Sequence, residues 1–130
     1  MKKIIFSKDA PTPIGPYSHG NLVAAGQMLF VSGQVAKDAE TGELILGDIK
    51  SETKKVMQNV SAILKEGGMD FSNVVKATIF LLDMKKFSEV NEVYGSFFEG
   101  NYPARETVQV SALPLGVNVE ISVIAMKQIA

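Results

Sequence analysis

The chain has 130 residues, 46% of them hydrophobic, enough for one compact domain spanning 1–130 with a core of its own and too few for two. Thirteen basic residues stand against fourteen acidic ones, so no overall charge draws the chain toward nucleic acid or an anionic membrane. The absence of cysteine excludes disulfides, thiolate catalysis and cysteine metal sites, and a single histidine cannot build a zinc site alone, so no metal is expected.

Residues 2–6 read as a short strand, and the apolar run there is too short before its first charge for a signal peptide. No later stretch could span a bilayer, so a soluble, cytoplasmic protein with no membrane partner is expected. The loop that follows, from Asp9 to His19, carries three prolines that keep it extended and rigid, able to hold a side chain such as Tyr17 at a site. Residues Asn21 to Ala25 and Met28 to Gln34 predict a hairpin turning at Gly26-Gln27. Gly33, inside Val31-Ser32-Gly33-Gln34, signals a bulge or a close approach of backbone to something else.

Helical spacing of Ile49, Thr53, Val56, Val60, Ile63 and Leu64 predicts a helix over 49–66, stopped by Gly67-Gly68. Asn59-Val-Ser61 matches a glycosylation sequon but falls inside that helix and is read as chance. Val74 to Leu82 is almost wholly apolar, as a central strand covered on both faces should be. Asp83 then caps a helix of about Met84 to Glu99, whose stripe of Phe87, Val90, Tyr94, Phe97 and Phe98 is read as core.

The last stretch predicts a hairpin. Residues on both sides of Ser111–Gly116 alternate with a period of two, and the Pro-Gly loop punctuates them. If Val110 pairs with Val117, Thr107 faces Glu120, and Arg105 becomes a diagonal neighbour of Glu120 on the same sheet face at roughly 7 Å. A guanidinium is a planar fork suited to a carboxylate, and a nearby carboxylate without a tight ion pair can act as a base toward water. The same pair equally suits a structural salt bridge.

The order β-β-β-α-β-α-β-β predicts an α+β fold, a mostly antiparallel sheet with two helices on one face. On the final strand Val117, Val119, Ile121, Val123 and Ala125 form one face, while Asn118, Glu120, Ser122, Ile124 and Met126 form the other. With the first set under the helices, the second would be open in a monomer, a half-apolar face that suggests a subunit interface. A nucleophilic hydrolase is disfavoured, since there is no Gly-x-Ser-x-Gly elbow and the only histidine, His19, lies beside Ser18 in a rigid loop. No phosphate-cradling glycine pattern supports a nucleotide cofactor. One carboxylate, one guanidinium and small polar groups such as Tyr17, Ser32, Asn91 and Thr107 remain, enough to add water to an already activated small carboxylate.

Taken together, Ile14-Gly15-Pro16-Tyr17, Val31-Ser32-Gly33-Gln34, Val90-Asn91-Glu-Val-Tyr94, Tyr102-Pro103-Ala104-Arg105 and Val119-Glu120-Ile121 resemble the RidA/YjgF family of enamine/imine deaminases, also called the L-PSP endoribonuclease family, over nearly the whole chain. The resemblance implies a chorismate-mutase-like α+β fold, a homotrimer with sites in the inter-subunit clefts, and no cofactor. It also implies hydrolysis of 2-imino acids and their enamine tautomers, such as 2-iminobutanoate and 2-iminopropanoate, to 2-oxo acids and ammonia. These reactive species are released by pyridoxal-phosphate dehydratases acting on serine and threonine. On the matching motifs, the family's carboxylate-binding arginine falls on Arg105 and its water-positioning glutamate on Glu120, with Tyr17, Gly33 and Asn91 lining the site. At Glu106-Thr107 many members have a small polar residue followed by cysteine; Thr107 can still offer its backbone amide to a substrate carboxylate. Two other readings stand beside this one: a module that binds 2-oxo acids without turnover, and an endoribonuclease or translation inhibitor, which lacks a basic stripe with interleaved aromatics.

Overall fold

The structure of the protein is a computed structural model that describes residues 2–129. In chain order it runs β1 (Lys2–Ile5), β2 (Gly20–Val23), β3 (Gly26–Gln34), α1 (Ile49–Glu66), β4 (Val74–Leu81), α2 (Phe87–Gly95), β5 (Ala104–Gln109) and β6 (Val119–Gln128), with short 3₁₀ turns between some of them. This is the expected α+β order. Helix α1 begins where extended Asp48 accepts the Ser51 N–H at 2.9 Å and ends where the Gly67 N–H closes onto Ile63 O. Its inward stripe includes Val56, Met57, Val60 and Leu64, all fully buried. Asn59, the sequon residue, uses its side-chain amide to hold Val35 O and Lys37 O at 2.9 Å each.

The main sheet has the order β3-β6-β4-β5, with β4 antiparallel to β6 and parallel to β5. The expected hairpin between residues 102–110 and 117–125 is therefore not formed. β4 is central, with a strand on each edge, but it is covered on one face only: Ala77, Ile79 and Leu81 are buried under the helices, while Lys76, Thr78 and Phe80 stay partly exposed on the other, so the expectation of cover on both faces is not met in the chain. The connection between β5 and β6 passes over its C-terminal end, where Val110 N–H donates to Leu81 O at 2.8 Å and Leu82 N–H to Asn118 O at 3.2 Å.

This order decides the faces. Ala77 is level with both Arg105 and Val123, and Ile79 with both Thr107 and Ile121, so all six side chains lie on the layer covered by the helices. Phe80 is level with Val108 and Glu120, on the opposite layer. Arg105 and Glu120 thus stand on opposite faces of the sheet, not as diagonal neighbours.

Two further expectations change. β2 does not fold back on β3; it pairs antiparallel with β1 in a separate two-stranded sheet, while β3 starts at Gly26 directly against Gln128 of β6. The second helix is shorter than its apolar stripe. A 3₁₀ turn at Met84–Lys86, capped by Asp83, leads into it, and it ends at Gly95. Phe97 and Phe98 lie beyond it and pack on Phe71, with Phe98 also against Tyr94 and Tyr102.

The face opposite the helices is uncovered in the chain, as the alternation along the last strand predicts. Phe30 is 66% and Met28 50% exposed there, level in register with Ile124 and Met126 of β6. Among the described residues no helix is long and apolar enough to cross a membrane. Leu64→Ala, which empties a fully buried position beneath α1, should lower stability by about 2–5 kcal/mol in urea titration; an unchanged midpoint would contradict the core described here.

Candidate functional site

The predicted site residues fall into two groups, one on each face. The first surrounds Arg105 on the edge strand β5. Its Nη1 donates to Asn91 Oδ1 at 2.7 Å, and its Cζ lies 5.4 Å from the Tyr17 ring centroid, 5.7 Å from Phe87 and 5.2 Å from Tyr94. Phe87, Asn91 and Tyr94 share one face of α2 because they are spaced four and three residues apart. The rings were legible as an apolar stripe, and the polar Asn91 beside that stripe was the signal that it also borders a site.

The proline loop delivers Tyr17. Gly95 lets the loop come close to the end of α2, since a Cβ there would stand 3.1 Å from Pro16 Cβ. Ser18 donates its N–H to Pro103 O at 3.2 Å and its Oγ to Tyr102 O at 2.5 Å, tying the loop to the entry of β5. His19 is stacked on Phe6 and bonded through Nδ1 to the Ser7 N–H and through Nε2 to Pro11 O. Ser18 and His19 are each spent on the loop, so they form no nucleophilic dyad.

Arg105 forms no salt bridge among the described residues. Burial lowers its pKa from the ordinary guanidinium value, the nearby tyrosines opposing that in part. Its Nε and the Thr107 Oγ1 are both buried without a hydrogen-bond partner. Because Val110 N–H points at β4 and backbone amides alternate along a strand, the amides of Arg105 and Thr107 point to the unpaired edge. A cation short of an anion, two unused side-chain groups and edge amides are the chemistry that a small carboxylate would satisfy.

The second group is Glu120 with Gly33. β3 carries one extra residue between Val31 and Gln34 relative to β6, a bulge that brings Gly33 against the Glu120 carboxylate. A Cβ at position 33 would collide with Glu120 Oε2, so only glycine lets the carboxylate lie where it does. Both readings of Gly33, bulge and close approach, hold. Glu120 is half-buried on the open face and forms no salt bridge among the described residues, which removes the Arg105–Glu120 ion pair within one chain. A groove of about 1140 Å³ lies apart from both groups, lined by β1, residues 70–73, residues 97–101 and the end of β6.

The family model for endoribonuclease L-PSP matches residues 7–127. The chain is 52% identical over 125 residues to protein DfrA of Myxococcus xanthus, covering 96% of this chain and 95% of that one. It is 44% identical over 127 residues to the 2-iminobutanoate/2-iminopropanoate deaminase of Mus musculus, covering 98% and 93%. Among solved structures it is similar to E. coli TdcF with bound serine, with a TM-score of 0.75 and 39% identity, covering 98% of this chain and 100% of that one.

Arg105→Ala should abolish binding of a small carboxylate such as 2-oxobutanoate in titration calorimetry. Arg105→Lys should weaken it by about tenfold or more, because an ammonium cannot make two parallel hydrogen bonds to a carboxylate. Thr107→Val should be milder, since the edge amide survives. Unchanged affinity in Arg105→Ala would mean that the carboxylate is held elsewhere.

Proposed function

The chain belongs to the RidA/YjgF family, the endoribonuclease L-PSP family by its model, and from that premise we propose that it is a 2-iminobutanoate/2-iminopropanoate deaminase, hydrolysing reactive imines and their enamine tautomers to 2-oxo acids and ammonia. The observation that carries the reading is the cradle at Arg105, a half-buried guanidinium with no carboxylate partner, bonded to Asn91 and flanked by the outward Thr107 amide. The naming of mammalian relatives as deaminases of these substrates supports it.

In this mechanism the substrate carboxylate sits on Arg105 and the Thr107 amide, with Tyr17 walling the cleft. The protonated imine carbon is already electrophilic, so the protein supplies position and proton transfer. Glu120 hydrogen-bonds the attacking water, takes one proton as the C–O bond forms and returns it to the nitrogen; as the C–N bond breaks and ammonia leaves, the new hydroxyl gives its remaining proton to Glu120, leaving the 2-oxo acid. No cofactor takes part. Since Arg105 and Glu120 lie on opposite faces of one sheet, the reaction needs Arg105 of one subunit and Glu120 of another. A homotrimer closed through the open face meets that need, and Phe30 and Met28, exposed on the face that carries Glu120, favour burial there.

The bound serine in TdcF supports a second reading, a module that holds amino or oxo acids without turnover. Glu120 separates the two, because a carboxylate binder gains nothing from a second negative charge. The endoribonuclease reading rests on the name of the family model.

Added to a threonine dehydratase reaction, the protein should accelerate imine decay and the appearance of 2-oxobutanoate. Glu120→Gln should keep the fold, the assembly and 2-oxobutanoate binding but lose about 100- to 10,000-fold in hydrolysis; near-original turnover in that variant would reject the catalytic assignment. Mixing Arg105→Ala with Glu120→Gln and allowing subunits to exchange should restore roughly a quarter of wild-type activity, the share of interfaces that random exchange leaves with both groups intact. No recovery after exchange, or a monomer by light scattering at micromolar concentration, would contradict a shared site.

A further inference from the structure

Glu52 is fully buried on the inner stripe of α1, yet among the described residues it faces no cation. A carboxylate removed from water is costly unless its lone pairs are met by donors. Here they are met by one short piece of chain. Oε2 accepts the backbone N–H of Asn118 at 2.8 Å and of Val119 at 3.2 Å, and Oε1 accepts Asn118 Nδ2 at 2.8 Å. The same Asn118 is fixed from its other side, because its carbonyl accepts Leu82 N–H at 3.2 Å. Charge-assisted bonds of this kind are about twice as strong as neutral ones. A fork in the first turn of α1 thus clamps the two residues that immediately precede Glu120.

That clamp acts through the sheet. Val119 points to the helix side and is buried, so its backbone cannot shift without moving the core, and Glu120 must leave the strand on the opposite side. There its carboxylate has to lie against Gly33, at a bulge with no side chain to guide it. We infer that Glu52 is the positioning residue for the Glu120 carboxylate: it fixes the start of β6 from the helix side so that Glu120 meets Gly33 on the open side. The inference deepens the imine-hydrolase reading and rests on it for its kinetic consequence only.

The test compares the full-length wild type with Glu52→Ala and Glu52→Gln for imine hydrolysis and for amide hydrogen exchange along β6. Glu52→Ala should lower kcat by about 10- to 100-fold while KM changes by less than about twofold, since Arg105 lies on another strand. Exchange should speed up at Val119 and Glu120 but not over the rest of β6. Glu52→Gln should recover most of kcat, because its carbonyl still accepts both backbone N–H groups. Retained kcat per folded chain in Glu52→Ala, or a loss spread over kcat, KM and the protection of all of β6, would overturn the positioning role. Should Glu52→Ala not fold, Asn118→Asp sets carboxylate against carboxylate and should lose kcat, and combining it with Glu52→Gln should restore it; failure to restore overturns the inference. If the wild type hydrolyses no imine, the imine-hydrolase reading fails by itself. The inference is then decided by a crystal structure of Glu52→Gln/Asn118→Asp beside Asn118→Asp: Glu120 returned to Gly33 only in the pair supports it, and Glu120 unmoved in both rejects it.

Discussion

Strand β4 holds the middle of the sheet because its helix-facing side, Ala77, Ile79 and Leu81, is fully buried and because an interior strand satisfies its backbone N–H and C=O groups on both edges. Placing Ile79 and Leu81 out of water contributes on the order of 1.5–3 kcal/mol each. Once β4 separates β5 from β6, the register does the rest. Arg105 and Thr107 share a layer with the core, Glu120 shares one with the open face, and the whole of β4 lies between the strands that carry the cation and the carboxylate. Separation keeps both charges free, since a guanidinium already paired with its own carboxylate would have little left for a ligand.

The two groups are built by different means. Around Arg105 the environment is aromatic and partly buried: three rings flank the guanidinium, Asn91 supplies one neutral acceptor, and burial acts against the charge. That arrangement leaves a cation whose charge is poorly compensated and therefore receptive to an anion. Around Glu120 the controlling feature is backbone. A bulge and a glycine make room for the carboxylate, and the buried fork of Glu52 fixes the residues before it. One group is tuned by what surrounds it, the other by where its strand is held.

Features set by local physics were legible in the sequence. The bounds of α1 follow from an apolar stripe and from Gly67-Gly68 at its end; the bulge follows from a glycine within a strand at Gly33, and the open half-apolar face from strand alternation. Pairing was not legible in the same way. The strands flanking Pro114-Leu-Gly116 look like a hairpin because they are close in sequence and punctuated, but proximity cannot show that a third strand lies between them. A clue was present in Val74–Leu81, since so apolar a strand belongs inside a sheet with a partner on each edge, and the hairpin used up the partners it required. The separate pairing of β1 with β2 was hidden for a related reason: Gly20–Val23 alternates equally well against either neighbour. Glu52 was missed because a charged residue in the first turn of a helix ordinarily faces solvent, and its partners lie 66 and 67 residues away.

The opposite-face placement of Arg105 and Glu120 also bears on how the protein behaves when scarce. A chain that carries its whole site is as competent at nanomolar as at micromolar concentration. A chain that carries two unlike halves is competent only in company, and its output per molecule follows the association equilibrium. On the proposed reading, dilution would disarm the protein without unfolding it, and a substitution on the exposed Phe30 surface, remote from any substrate atom, would register as a change in the concentration at which activity begins.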